Sequence, residues 1–364
     1  MQKVLVINPG STSTKIGLFT EDQWLYKENI DHVTADAITS DTLREQAAIR
    51  SAAIITSLQQ RGYSIEDVTA IVVRGGIMRP LAGGVYRVNE AMVNDLTTCR
   101  YACHASNLGA VLAFPWGEAY GIGVFTVDPV TVDEFIPVAR FSGLRGISRL
   151  SMSHALNMKA IAHKVATQLA QRYEEMNLIV AHLGSGISVS AHQNGRMIDV
   201  NNANNEGPFS LERTGTLPAM AMIELCFRQG LCESEVKSLI TSLGGVFSYL
   251  GTKDFRAVIA AVVAGDKLAL QVVDAMAYQV AKEIGGMATV LCGDVDRIVL
   301  TGGMAYADIF VKKIVARICS LAPVIVLPGE EELEALAAGV QRVLRGEEEV
   351  KTYEQEPITQ EGCQ

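Results

Sequence analysis

Two short stretches of this chain combine glycine and hydroxyl residues in a way that suits phosphate chemistry. The first, VLVINPGSTSTKIGLF at 4–19, runs from an apolar segment into a polar turn and back into an apolar segment. The second, LIVAHLGSGISVSAHQNGRMID at 178–199, repeats that order. Glycines in tight turns let the backbone approach a phosphate, and backbone N–H and hydroxyl groups can then donate hydrogen bonds to it. Neither stretch matches GxxxxGK[ST] or strand–GxGxxG–helix, so a nucleotide site here would be of another type.

The elements that must position these turns are strands, and the flanking apolar segments predict two β-hairpins. When the two stretches are aligned without a gap, Asn8 corresponds to His182 and Gly10 to Gly184. A second pair follows in the same order, because AIVVRGG at 70–76 is similar to RIVLTGG at 297–303. Two paired features in one order indicate two diverged copies of a structural unit.

Composition excludes several classes of protein. The chain has 364 residues, 49% of them hydrophobic and 20% charged, which predicts a two-domain α/β protein. The net charge of −9 argues against nucleic-acid binding. The apolar runs are shorter than the roughly 18 residues of a membrane span, so we expect a cytoplasmic protein. Seven cysteines without a CxxC pair favour buried free thiols over a metal site. The polar C-terminal stretch, 346–364, is expected to be a solvated tail.

The two hairpin segments resemble the signature segments of the acetate and butyrate kinases, which belong to the superfamily of actin, hexokinase and the Hsp70 ATPase domain. The resemblance spans nearly the whole chain. The segments that favour the butyrate kinase branch are VVRGGIMRPLAGGVY, SHALNMKA, GPFSLERTGTLPA, SYLGTKD and LTGGMAYADIF.

This resemblance implies an α/β fold of two ribonuclease-H-like (actin-like ATPase) domains with similar topology and an interdomain cleft. The C-terminal helix, from about Glu331, should return to the first domain. We expect residues 1–130 and 332–364 to form an acyl- and metal-side domain, and residues 131–331 to form a nucleotide-binding domain. The family forms dimers or larger assemblies, so a homo-oligomer is expected.

The resemblance also implies roles for individual residues. Asn8 and Glu331 would lie on the Mg²⁺ side, with Glu330 and Glu332 as alternatives to Glu331. The catalytic set would be Arg74, Asp128, His154, His182 and Arg213. Two arginines suit this reaction, because the carboxylate and the phosphoryl group are both anionic and would repel each other. Taken alone, Asn8 could be a turn former, and either arginine could be a surface residue.

The remaining implied residues bind the two substrates. Arg74, Gly76 and His104 would contact the carboxylate substrate. The ATP or ADP would contact Lys15, His182, Gly184, Ser185, Gly186, Asp254, Arg256, Gly302, Gly303 and Met304. Glycines at strand-to-helix turns are also common for steric reasons alone, and Lys15 could be only a surface charge.

The function implied by the resemblance is a carboxyl-accepting phosphotransferase that converts ATP and butyrate reversibly into ADP and butyryl phosphate. Alternatives are a kinase for isobutyrate, propionate or acetate and, in another class, an actin-like ATPase that changes shape. Acetate kinases carry valine two residues after the arginine equivalent to Arg74, where this chain has Gly76. We expect the missing side chain to leave room for a longer acyl chain.

Overall fold

The computed structural model describes residues 2–20, 23–32, 39, 41–228 and 230–354. The chain divides into two compact units. The first unit comprises Met1–Val132 and Glu331–Gln364, and the second comprises Asp133–Glu330. These limits differ by one or two residues from the domain boundaries expected from the sequence.

The described residues form twelve strands and eleven α-helices. The strands are β1 (Val4–Pro9), β2 (Ser13–Phe19), β3 (Trp24–Asp31), β4 (Ala70–Arg74), β5 (Val85–Arg87), β6 (Gly123–Val127), β7 (Leu178–Leu183), β8 (Ile187–Gln193), β9 (Arg196–Val200), β10 (Arg297–Gly302), β11 (Val324–Pro328) and β12 (Lys351–Thr352). The helices are α1 (Leu43–Gln60), α2 (Glu90–Thr97), α3 (Leu108–Tyr120), α4 (Ala155–Gln168), α5 (Ala219–Arg228), α6 (Glu233–Thr241), α7 (Gly245–Leu250), α8 (Phe255–Val263), α9 (Lys267–Val290), α10 (Asp308–Ile318) and α11 (Glu332–Leu344).

Each unit is built on one mixed sheet, and the two sheets share a strand order. The first is ordered β12-β5-β6-β4-β1-β2-β3 and the second β11-β10-β7-β8-β9. The five strands β6-β4-β1-β2-β3 therefore match β11-β10-β7-β8-β9 position for position. In both units the first strand of the hairpin pairs antiparallel with its partner and parallel with the strand that leads into a Gly-Gly pair, β4 or β10. The predicted duplication of an α/β unit is confirmed.

The two hairpins differ by one residue in their turns. Asn8 pairs with Lys15 across the first hairpin, whereas His182 pairs with Ser188 across the second. A gapless alignment would place residue 189 opposite His182, so the second turn is one residue shorter. The correspondence of Asn8 with His182 holds on the first strand, but the gapless alignment is wrong beyond the turn.

The central strands are buried because helices cover their sheets. All six residues of β1 and all six of β7 are buried, as their nearly continuous apolar sequences predict. In the first unit the covering helices include α11, which packs on β1 and β6. Gly339 of α11 lies against Val127, where a Cβ would come within 2.6 Å of that side chain. The C-terminal helix thus returns to the first unit, as predicted.

Two expectations from composition are wrong. Cys99 and Cys103 form a disulfide, and among the described free cysteines Cys232, Cys292 and Cys319 are exposed rather than buried. Part of the polar C-terminal stretch is also structured. β12 pairs with β5, and Tyr353 is buried and donates a 2.8 Å hydrogen bond to Asp95. Residues 355–364 lie outside the described part of the chain. Within that part, no helix is long and apolar enough to cross a membrane.

Candidate active site

In the first unit, Asn8 and Arg74 meet at one carboxylate, that of Glu332. Asn8 lies near the end of β1 and is almost fully buried, and its Nδ2 donates a 2.6 Å hydrogen bond to Oε2 of Glu332. Arg74 ends the neighbouring parallel strand β4 and forms an ion pair with Oε1 of the same carboxylate. Parallel strands bring their carboxyl ends to one sheet edge, where ligands commonly bind. Among the three candidate glutamates, Glu332 is the one for which a contact with Asn8 is observed.

His104 and Asp128 belong to the same unit. His104 caps a short 3₁₀ helix at Ala105–Asn107, and its Nδ1 lies 2.8 Å from Oγ of Ser106. Desolvation and then the positive charge of Arg74 lower the pKa of His104, so its ring is neutral at pH 7. Asp128 directly follows β6, is buried, and accepts a 2.7 Å hydrogen bond from the backbone N–H of Gly84. That bond gives Asp128 a structural role in addition to its expected catalytic one.

Gly76 does not leave an empty space beside the arginine. A Cβ at this position would come within 2.5 Å of Leu96 and within 2.6 Å of Oδ1 of Asn107. Asn107 is fully buried and accepts a 2.9 Å hydrogen bond from the N–H of Ile77. The explanation that the missing side chain makes room for a longer acyl chain is therefore wrong, since protein atoms fill that room.

In the second unit, His182 and His154 stack face to face. Their ring centroids lie 3.9 Å apart at an interplanar angle of 11°. His182 lies near the end of β7, just before the hairpin turn, and His154 directly precedes α4. Nδ1 of His154 lies 2.9 Å from Oγ of Ser188, and Nδ1 of His182 lies 2.9 Å from Oδ1 of Asn157.

The contact with Asn157 decides how His182 can act. An amide oxygen accepts, so Nδ1 of His182 carries the proton when the ring is neutral, and Nε2 then carries the lone pair. Nε2 is buried and makes no hydrogen bond within the described residues, although Oε1 of Glu330 lies 3.1 Å away. Donation from Nε2 to a phosphoryl oxygen requires the imidazolium form. Asn157, one helical turn after His154 on α4, was not recognised from the sequence as a site residue.

Arg213 lies beside the same cluster, packed against Gly186 of the second hairpin turn. A Cβ on Gly186 would come within 2.6 Å of Nη1 of Arg213 and within 3.3 Å of Cε1 of His154. Burial lowers the pKa of Arg213, but an arginine remains charged at pH 7. Its buried Nε makes no hydrogen bond within the described residues. A desolvated guanidinium with unused donors is suited to bind an anion.

A cavity of about 860 Å³ adjoins this cluster within the second unit. The size suits a nucleotide, and its walls combine apolar and charged side chains. Of the residues predicted to bind nucleotide, those that line it are Gly184, Ser185, Asp254, Arg256, Gly303 and Met304. Lys253, Phe255, Ile259 and Tyr306 also line it and were not predicted from the sequence, and Glu330, which was named only as an alternative metal-side residue, lines it too. Lys15 lies in the first unit, exposed on β2 opposite Asn8.

Two of the predicted nucleotide residues have a clear structural role. Gly302 has a φ of +91°, and a Cβ there would come within 2.4 Å of the backbone of Leu183. Asp254 caps α8 by accepting a 2.9 Å hydrogen bond from the N–H of Arg256. By contrast, a Cβ on Gly303 would meet no atom within 4 Å. Glycine is therefore sterically required at 302, whereas Gly303 has open space in front of it.

Asn8 and Glu332 have the side-chain chemistry to bind Mg²⁺ together with phosphate oxygens. Among the described residues no cluster of three or more His, Cys, Asp or Glu side chains could hold a metal ion by itself. Mg²⁺ in phosphoryl-transfer sites is usually held by one or two protein oxygens together with substrate phosphates. The amide of Asn8 and the carboxylate of Glu332 offer oxygens of that kind at one place. The side chains present therefore fit such an ion.

Solved structures with the same architecture include two carboxylate kinases. A crystal structure of acetate kinase from Porphyromonas gingivalis matches with a TM-score of 0.77 at 20% identity, over 94% of this chain and 100% of that one. A propionate kinase from Francisella tularensis matches with a TM-score of 0.73 at 19% identity, over 94% and 100% of the two chains. At these identities the likeness establishes the fold, which is the two-domain fold of this class of kinase.

Sequence comparison identifies the family. The model of the acetokinase family matches residues 140–335. A probable butyrate kinase from Listeria welshimeri is 48% identical over 351 residues, which is 96% of this chain and 99% of that protein. Probable butyrate kinase 2 from Caldanaerobacter subterraneus is 47% identical over 97% of this chain and 100% of that protein. The chain belongs to the acetokinase family, which confirms the resemblance of its two hairpin segments.

Proposed function

We propose that this protein transfers the terminal phosphoryl group of ATP to butyrate, reversibly, to form butyryl phosphate and ADP. The observation that carries the proposal is the desolvated Arg213 beside the stacked His154 and His182, next to a cavity of nucleotide size. The probable butyrate kinases that are nearly half identical over almost the whole chain support butyrate as the acceptor.

The acceptor needs no general base, because a carboxylate is already ionised at pH 7. The main barrier is the mutual repulsion of two anions, and positioning and positive charge lower it. We assign Arg213 to the transferring phosphoryl group and Arg74 to the carboxylate side. Glu332 forms an ion pair with Arg74 and also accepts a hydrogen bond from Asn8. The carboxylate of butyrate at Arg74 would therefore share this guanidinium with Glu332 or compete with Glu332 for it.

The histidines would act by donating hydrogen bonds to the phosphoryl oxygens or by orienting the phosphoryl group. His182 can donate from Nε2 only as an imidazolium, and Oε1 of Glu330 lies 3.1 Å from that nitrogen. His154, aligned by Ser188 and stacked on His182, would orient the same group. Mg²⁺, when bound by Asn8 and Glu332 or Glu331 together with the phosphates, supplies charge neutralisation at the transferring group.

The test is a hydroxylamine-trap assay with Mg-ATP and a panel of carboxylates: acetate, propionate, butyrate, isobutyrate and valerate. We expect acyl hydroxamate to form, with the highest kcat/KM for butyrate. A higher value for isobutyrate, propionate or acetate would assign that acid as the substrate. ATP hydrolysis that is independent of any carboxylate would instead indicate the actin-like ATPase class.

We also propose that the protein is a cytoplasmic homo-oligomer. Large apolar side chains are exposed at nearly regular intervals along residues 138–150 of the second unit, and Phe141 among them is 81% exposed. The exposed members of this segment are Val138, Phe141, Leu144, Ile147 and Leu150. Apolar surface of this kind supports self-association. Size-exclusion chromatography with light scattering should show a dimer or larger species, and a monomer at micromolar concentration would contradict the proposal.

A further inference from the structure

Arg50, in the middle of α1, is a fully buried arginine whose charge is directed at the first hairpin turn. Its side chain has no solvent exposure. Nη1 donates hydrogen bonds to the carbonyl of Gly10 at 2.7 Å and to that of Ser13 at 3.2 Å, and Nη2 donates to the carbonyl of Ser11 at 2.9 Å. A further bond of 3.2 Å joins Nη1 to Oγ1 of Thr14. One guanidinium group thus binds three backbone carbonyls of a single turn.

The remaining carbonyl of the turn also has a donor. The carbonyl of Thr12 accepts a 2.8 Å hydrogen bond from the N–H of His32, and that of Ser13 accepts a second bond, from the N–H of Gly10. All four carbonyl oxygens between residues 10 and 13 are therefore held by N–H donors. Carbonyl oxygens repel phosphate oxygens, so a turn that receives phosphate must direct them elsewhere and present N–H and hydroxyl groups. Ser11 and Thr12 are exposed.

Burying a charged arginine is costly unless every donor is used and the charge serves a purpose. Arg50 forms no ion pair with a carboxylate among the described residues, and its Nε makes no hydrogen bond there. Its partners are neutral oxygens, so its positive charge is not cancelled. An uncancelled charge directly behind the turn raises the potential where an anion would bind.

We propose that Arg50 is a positioning residue for the phosphates of ATP. It holds the carbonyls of the turn at 10–13 away from the nucleotide and places a buried positive charge behind that turn. The inference rests on the proposed function, because it takes this turn to be the one that receives the phosphates of Mg-ATP. Arg50 itself is too deeply buried to contact the ligand.

The test compares Arg50→Met and Arg50→Lys with a matched control on the same helix. Ser57 lies two helical turns along α1, is buried, and donates a hydrogen bond to Glu28 of β3 rather than to the turn. Ser57→Ala should therefore lower the melting temperature without changing nucleotide affinity. Binding of Mg-ATP and of AMP is measured by calorimetry on each variant, after circular dichroism has shown that it is folded.

Arg50→Met should weaken Mg-ATP binding by about 10- to 100-fold, the range for residues that orient a ligand-binding group, and should leave AMP binding within about twofold. AMP lacks the β- and γ-phosphates, so it reports only the contacts of the adenosine and the α-phosphate. Arg50→Lys keeps the positive charge but lacks the planar guanidinium that bonds several carbonyls at once, so we expect its Mg-ATP affinity to lie between those of Arg50→Met and the wild type. If Arg50→Met does not fold, the same comparison of Mg-ATP and AMP affinity is made on Arg50→Lys. Unchanged Mg-ATP affinity in a folded variant, or an equal loss for AMP, would overturn the inference. If the wild type hydrolyses ATP without any carboxylate, the proposed kinase activity is refuted, but the inference about Arg50 is not.

Discussion

Substitution of Gly186 by alanine tests the arrangement of Arg213 without changing any charged group. The added Cβ would lie 2.6 Å from Nη1 and 2.9 Å from Cζ of Arg213, and 3.3 Å from Cε1 of His154. Normal van der Waals contact needs about 3.5 Å, so the guanidinium must move by nearly 1 Å. Its end is flexible and Gly186 has no positive φ, so the fold should tolerate the change.

A displacement of about 1 Å of a group that stabilises the transition state costs on the order of 100-fold in rate. This corresponds to about 2.7 kcal/mol of activation free energy. We therefore expect Gly186→Ala to lower kcat about 100-fold in the hydroxamate assay, with a melting temperature within a few degrees of the wild type. The matched control is Gly285→Ala on α9, where a Cβ would meet nothing within 4 Å. That variant should keep its activity and gain about 1 kcal/mol of helix stability.

The double variant Gly186→Ala/Arg213→Ala identifies the cause. If the alanine at 186 acts through Arg213, adding it to Arg213→Ala should cost little more, because both changes remove the same interaction. Additive losses would show that Gly186 acts on something else. A Gly186→Ala enzyme that folds and retains wild-type kcat would refute the assignment of the guanidinium to the transferring phosphoryl group.

Three further predictions concern other parts of the structure. Arg213→Ala and Arg74→Ala should each lower kcat by about 10³-fold, the scale of a phosphoryl-stabilising arginine; near-wild-type turnover of Arg213→Ala would contradict its role. Gly76→Val should lower the melting temperature, because its side chain would overlap Leu96 and Asn107; a variant that is as stable as the wild type and prefers acetate would restore the pocket explanation. Burial, reinforced by the charge of Lys159, lowers the pKa of His192 to about 3, against about 6.5 in the unfolded chain. The unfolded state therefore binds this proton first, and the free energy of unfolding should fall by about 1.4 kcal/mol per pH unit as the pH drops from about 6.5 towards 3. Urea unfolding over this pH range should show that His192→Gln, which can keep partners in Tyr173 and Ser190, has a shallower dependence.

The sequence by itself determined the architecture and named the residues that the structure groups in each unit, whereas their catalytic roles stay predictions. Apolar segments that enter and leave glycine turns are local patterns, and they predicted both hairpins and the duplicated unit. The hairpins and the further motif segments carried the family resemblance, and with it the residues that the structure groups in each unit: Asn8 and Arg74 in one, His154, His182 and Arg213 in the other. The hairpins could be predicted because strand and turn patterns are local, and the parallel pairing of β1 with β4 then brings Asn8 and Arg74 to one sheet edge.

Only the tertiary structure decided which partners hold them. Glu332 reaches Asn8 across 324 positions, and Asn157 orients His182 from another element. In the sequence, nothing distinguishes Arg50 from other helical arginines, and only the structure shows that it donates to the carbonyls of the turn at 10–13. The room expected at Gly76 is filled by side chains from elsewhere in the chain, and the second hairpin turn is shorter by one residue. Such contacts join residues distant in sequence and depend on packing and exact register, so they leave no periodic pattern in the chain from which they could be predicted.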